Sequence, residues 1–291
     1  MTLTETHSAV RFERILFATD LCPRTATAAT YAAGLARRFS STLELAHVID
    51  LSITTPAIDV VMEPALEAIR HSGEEGLREL ATSLPGVQVK KTVVEGFLPA
   101  DLILGAAASG RSDVIVLGTS SKHGLKKLAL GSTAEEVIRK ATCPVMTVGP
   151  HVPKAPAGPL SFKRIVYATD FSSAARKAAR YALTLAEDLE ADLYLCHVVS
   201  AEEASTRYAP TALSAYSLKR LVPESGYDRC QAHCVVEHGN AVQAILGLAG
   251  RVHADLIVLG ARRPSFWLTY VHPGVTPALL AEAKCPVLTV C

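Results

Sequence analysis

The chain has 291 residues, enough for two domains of ordinary size. Its 29 lysines and arginines stand against 28 aspartates and glutamates, so no broad field draws it to nucleic acid or to an anionic membrane, and any anion must be held locally. No apolar run reaches bilayer-spanning or signal-peptide length, and seven cysteines, an odd number, argue against a disulfide framework; a cytoplasmic chain without membrane or nucleic-acid partners is expected.

In chain order, RILFATD, LELAHVI, QVKKTVV, DVIVLG and PVMTV are short runs rich in Val, Ile and Leu, several apolar at every position, as in strands covered on both faces. Helix-length segments lie between them: alanine-rich Ala26 to Phe39, amphipathic Pro64 to Leu84, Pro99 to Ser109, and Ser132 to Ala141, which opens on hydroxyl residues. RIVYATD, DLYLCHV, HCVVE, DLIVLG and PVLTV then repeat the order, with helices near 174–190, 211–226, 240–250 and 277–283. Residues 51–62 and 200–210 are polar or proline-bearing loops.

The repetition is literal. FERILFATD (12–20) returns as FKRIVYATD (162–170), LELAHVID (43–50) as LYLCHVVS (193–200), DVIVLGT (113–119) as DLIVLGA (255–261), and CPVMTV (143–148) as CPVLTV (285–290). A repeat this long can bury its own core, unlike the short units of a solenoid. The expected architecture is α/β: two repeated doubly wound domains, each a five-stranded parallel sheet with helices on both faces, Rossmann-like. The first domain is expected over 1–149, a linker rich in proline and glycine over 150–161, and the second domain over 162–291.

In such sheets ligands bind beyond the carboxyl ends of the strands, where strand order reverses. That rule selects Asp20, Val48 to Asp50, and the chain from Gly118 onward. The Gly131-Ser132 junction opens a helix whose free N–H groups and dipole attract an anion. Glycines there let the backbone adopt positive φ and come close to a phosphate.

The stretch VLGTSSKHGLKKLALGSTAEEVIRKATCPVMTV (116–148) resembles the universal stress protein family, whose nucleotide-binding members carry G-x2-G-x9-G-[S/T] here. Gly118 fills the first glycine position, Gly131 the third and Ser132 the hydroxyl, while Ser121 stands where the family has its second glycine. Gly124, the opening Ala18-Thr19-Asp20 and the closing CPVMTV fit the wider pattern, and the resemblance spans both copies. It implies an adenine-nucleotide site for ATP. Ala18, Thr19 and Asp20 would lie beside the ribose and phosphates, Val48 would present backbone to adenine, and Gly118, Ser121, Gly131, Ser132 and Thr133 would wrap the phosphates. Asp20 would also help hold Mg2+ through water, since a hard cation takes carboxylate and phosphate oxygens.

The second copy keeps Ala168, Thr169, Asp170, Val198 and Gly260, but Arg263 stands at the second glycine position and Pro273 where the third falls; one residue on, Gly274 is followed by Val275. The insertion FWLTYVHPG, with the only tryptophan, Trp267, is expected to pack over this degenerate crevice or against a partner. Arg262 and Arg263 either grip an anion or are solvated, and a solvated helix face is the default for Lys122, Lys126 and Lys127.

Cys230, His233, Cys234 and His238 fit no zinc spacing, and His47 and His197 read as satisfied strand histidines rather than bases. No serine-hydrolase elbow, HExxH or Walker motif is present, so no catalytic residue is assigned and slow ATP hydrolysis is the most enzymatic activity expected. The expected function is an ATP-binding stress-response regulator, its first copy holding the nucleotide, its second structural or regulatory, acting on an unidentified protein partner. The alternative is a scaffold of the same fold that binds no nucleotide. Pairing of whole chains into a homodimer is left open.

Overall fold

A computed structural model describes residues 10–53, 62–119, 131–200, 210–222, 230–261 and 275–290. The chain divides into two compact units, Arg11–Leu160 and one holding Ser161–Cys291.

The unit Arg11–Leu160 runs β1 (Arg14–Thr19), α1 (Ala26–Phe39), β2 (Thr42–Asp50), α2 (Met62–Thr82), β3 (Gln88–Gly96), α3 (Pro99–Ser109), β4 (Val114–Gly118), α4 (Ser132–Lys140) and β5 (Val145–Val148). Its strands lie in the order β3-β2-β1-β4-β5, all neighbours parallel. The apolar runs are explained by burial on both faces: Ile15, Leu16, Phe17, Val114, Ile115 and Val116 are all at most 1% exposed. Helix α1 buries Ala28, Ala29, Ala32, Ala33 and Ala36, small side chains that let its backbone lie close to the sheet. It ends where Ser40 turns left-handed (φ 53°) and returns its N–H to the Ala36 carbonyl.

The segment after β5 is not a free spacer. It runs back along α1, where Ala155 N–H donates to Thr30 Oγ1 (3.0 Å), Leu160 N–H donates to the Gly34 carbonyl (2.9 Å), and buried Leu160 covers Gly34. A Cβ on Gly34 would come within 2.7 Å of Leu160 Cγ, so the glycine makes room for it.

The second unit repeats the plan: β6 (Arg164–Ala168), α5 (Ser173–Leu189), β7 (Asp192–Val199), α6 (Pro210–Lys219), β8 (Ala232–His238), α7 (Ala241–Arg251), β9 (Leu256–Gly260), α8 (Val275–Glu282) and β10 (Val287–Val290). Its order is β8-β7-β6-β9-β10, again parallel. Both its α5 and α7 are capped by side chains, Ser172 Oγ accepting from Ala175 N–H and Asn240 Oδ1 from Gln243 N–H.

Several boundaries differ from the sequence reading. Helix α6 ends at Lys219, short of the expected 226, and α2 starts at Met62, before Pro64. Helix α8 starts at Val275 and takes Pro277 into its first turn, where a missing N–H is tolerated. Of the paired cysteines beside proline, Cys285 is buried but Cys143 only half so. Among the described residues no helix is long and apolar enough to cross a membrane.

Candidate functional site

In the first unit the chain winds outward from β1 to β2 and β3, then returns to the other side of β1 with β4. Strand order therefore reverses between β1 and β4, and the crevice lies beyond their carboxyl ends.

One wall is the turn after β1. Thr19 Oγ1 accepts from Leu21 N–H (3.0 Å), and Asp20 Oδ1 accepts from Cys22 N–H (3.1 Å), while Leu21 is left-handed (φ 58°). Thr25 Oγ1 donates its one proton to the Cys22 carbonyl (2.8 Å), so across the 3.0 Å Thr19–Thr25 contact Thr19 is the donor. The buried Thr19 hydroxyl is thus engaged inside the turn. Asp20 is exposed, one carboxylate oxygen held and its charge turned to solvent. A short 3-10 turn, Pro23–Thr25, leads into α1.

Other walls come from β2, β4 and α4. Strand β2 continues through Val48, Ile49 and Asp50 after its last pairing with β1, at His47–Thr19, so Val48 lies where its backbone can face the crevice. Ala18 is buried within β1. Gly118 ends β4, and a Cβ there would lie 3.3 Å from Thr25 Cγ2 and 3.5 Å from Ala28 Cβ. Its missing side chain therefore admits α1, a role the sequence reading did not see. Gly131 is the N-cap of α4 with φ −63° and ψ 143°, and among the described residues a Cβ there would meet nothing within 4 Å. Neither glycine has positive φ, so the left-handed geometry expected of them is corrected. Gly131 brings no capping side chain, which leaves the first-turn N–H groups of α4 without one. Ser132 is exposed and Thr133 half-buried beside them. Ser121, Gly124, Lys122, Lys126 and Lys127 lie outside the described residues.

The second unit builds the same turn after its first strand. Thr169 Oγ1 accepts from Phe171 N–H (3.0 Å) and Asp170 Oδ1 from Ser172 N–H (2.9 Å), with Phe171 left-handed (φ 58°). Its crevice differs. A Cβ on Gly260 would fall 2.5 Å from the Ala174 carbonyl carbon and 2.7 Å from its oxygen, because the first turn of α5 sits directly on β9. Helix α8 has proline as its third residue, Pro277, one N–H fewer than α4, and opens on Val275 instead of a hydroxyl. Pro277 was legible in the sequence as a missing donor three residues after Gly274. Arg262, Arg263, Pro273, Gly274 and FWLTYVHPG with Trp267 lie outside the described residues.

Elsewhere, His233 stacks on Tyr194 (ring centroids 4.7 Å) and Cys230 is buried with its thiol pKa pushed up by desolvation. Among the described residues no three His, Cys, Asp or Glu side chains are grouped to hold a metal ion. A groove of about 510 Å³ between α3 and α4 includes Arg111, Lys140 and Cys143, but it lies at the amino ends of β4 and β5, away from the crevice. Lys140 there already pairs with Asp101 (2.9 Å) and Glu136 (2.7 Å).

Comparison with known proteins follows the same division. The model of the universal stress protein family matches residues 11–149 and again 161–290. A universal stress protein of Methanocaldococcus jannaschii is 33% identical over 141 residues, which is 47% of this chain and 82% of that protein. A universal stress protein A homologue of Coxiella burnetii is 31% identical over 146 residues, 48% of this chain and 97% of its own. Among solved structures, a universal stress protein from Archaeoglobus fulgidus shares the fold with a TM-score of 0.75 at 22% identity, 97% of each chain being covered. The chain belongs to the universal stress protein family, with two copies of the family's domain in tandem.

Proposed function

We propose that the protein is an ATP-binding stress-response regulator with one nucleotide site per chain, in the first unit. One observation carries the reading: at the first crevice the amino terminus of α4 has no side-chain cap and, among the described residues, nothing lies within 4 Å of a Cβ on Gly131, whereas at the second the turn of α5 sits on Gly260 and Pro277 removes a donor. Backbone N–H groups of Ser132 and Thr133 and the Ser132 hydroxyl receive the phosphates in this reading, with Gly131 letting them approach. Val48 gives backbone to adenine. Asp20 is an exposed oxygen donor beside the anion site and fits a share in holding Mg2+, which when bound would neutralise phosphate charge.

What the nucleotide does follows from unequal affinity. Binding that favours one arrangement of the crevice loops changes the surface they present, and a protein partner reads the change. Equilibrium binding of labelled ATP to the purified chain, stripped of carried-over ligand, tests the site: one ATP per chain is expected, and two or none would refute it.

Ser121, standing at the second glycine position, favours the scaffold reading instead. A wild-type chain that binds no ATP at millimolar concentration, but gains binding on Ser121→Gly, would establish that alternative.

A further inference from the structure

The two crevices differ in how their first helix approaches the sheet, and the cause can be traced to two pairs of equivalent residues. In the first unit the atom facing Gly118 is a side-chain methyl, Thr25 Cγ2, and the nearest backbone atom, Thr25 Cα, would lie 3.6 Å from a Cβ on that glycine. In the second unit the residue six after the threonine is Ala175, which has no such methyl, and the backbone of Ala174 and Ala175 itself fills the space over Gly260, about 1 Å closer. Beneath the helix the units also differ. Tyr167, 1% exposed, donates its hydroxyl to the Ala175 carbonyl at 2.7 Å, whereas the first unit has Phe17 there, equally buried and without a donor. Helix α1 is preceded by the 3-10 turn Pro23–Thr25; α5 is capped at once by Ser172.

We infer that these residues decide which crevice is open: Thr25 is a positioning residue whose methyl props α1 off β4, and Tyr167 is a tether that draws α5 down onto Gly260. The second copy is then shut by a built contact beneath its first helix, in addition to the changes in its glycine motif. The closure stands on geometry alone, while its bearing on nucleotide rests on the ATP reading above.

A ligand-free experiment on the full chain tests closure. Gly260→Ala should lower the melting temperature by about 5 °C or more, since the new methyl would strike helix backbone that cannot rotate away. In a Tyr167→Phe, Ala175→Thr background, where the helix is untethered and propped, the loss should fall to less than about half of that. Equal losses in the two backgrounds would overturn the inference. Should Gly260→Ala fail to fold, Tyr167→Phe alone decides by native-state hydrogen exchange. The Arg176 amide, bonded to the Ser172 carbonyl at 2.9 Å, should exchange at least about tenfold faster relative to the second half of α5, and an unchanged ratio would overturn the tether.

The nucleotide arm uses Thr25→Ala and Thr25→Val. Alanine removes the prop and should raise the Kd for ATP about tenfold or more, while valine keeps a methyl facing Gly118 and should stay within about threefold, although it loses the hydroxyl bonds and melts lower. Equal affinity losses in the two variants would overturn the prop. A wild-type chain that binds no ATP would refute the nucleotide site itself, and the ligand-free arm would still decide the closure.

Discussion

His47 Nδ1 lies 3.0 Å from the carbonyl of Thr19, its partner across β1 and β2, and His197 repeats the contact to the Thr169 carbonyl at 2.8 Å. A carbonyl only accepts, so each imidazole carries its proton on Nδ1 and pins the end of the first strand. In the first unit the ring also packs against α2, where a Cβ on Gly73 would come 2.9 Å from His47 Cδ2.

Gly73→Ala therefore sets two effects against each other. Helix propensity favours alanine by about 1 kcal/mol, but a pinned ring cannot swing away and overpacking costs about 1–3 kcal/mol. Urea unfolding should show a net loss of about 1 kcal/mol, turning into a gain in a His47→Ala background. A gain in the wild-type background would mean the ring is not held.

Gly131→Ala with Ser132→Ala should weaken ATP binding about tenfold or more, because close backbone approach and a hydroxyl donor are lost together. Since a methyl at Gly131 meets none of the described residues within 4 Å, thermal unfolding without ligand should change by no more than about 3 °C. Isothermal titration beside melting curves separates binding from folding.

Asp20 offers a separation by charge. Asp20→Asn keeps an acceptor for the Cys22 N–H and so keeps the turn, but removes the negative charge. Its ATP affinity should fall more in magnesium than in chelator, and Asp20→Ala should lose stability as well. Titrations with no magnesium dependence in wild type or variants would leave Asp20 as a turn residue only.

The second unit should be the first to yield to alkali. Burial pushes the Cys196 and Cys285 thiols up to about 12 from 9.0, and the Tyr167 phenol up to about 12 from 10.0. For each, the native state keeps a proton that the unfolded chain releases. Their stabilisation is complete below the unfolded values and is lost as pH rises from about 9 to 12. Denaturation followed by signals from residues 161–290 should show this slope, and Cys196→Ala with Cys285→Ala should flatten its lower part.

Much of the fold was legible because it rests on local patterns. The all-apolar strands, the bounds of Ala26–Phe39 and Pro99–Ser109 and the parallel order follow from periodicity and alternation. The site was legible only as far as chain geometry carries it. That Asp20 follows β1 and Gly131 opens the helix after β4, the two strands flanking the switch point, follows from topology, but the Thr19 hydroxyl is consumed by Thr25 through a contact that no motif announces. Gly118 lies under the Thr25 methyl and Ala28, a long-range packing contact that the same letter in a phosphate loop would disguise. The premature end of α6 had no capping signal in the sequence.

The stretch from Gly149 to Leu160 has consequences for how the gene duplication is dissected. A seam between duplicated copies is usually treated as slack, yet this one is stitched onto Thr30 and Gly34 as far as Leu160. A fragment cut after Val148 would strip Leu160 from Gly34 and bare the part of α1 it covers, an invitation to aggregate, whereas a cut between Leu160 and Ser161 keeps the flap in place. Glycine-serine insertions should likewise be harmless at that junction and damaging a few residues earlier. The two stretches matched by the family leave 150–160 between them, and the first compact unit has taken that segment in, ending at Leu160.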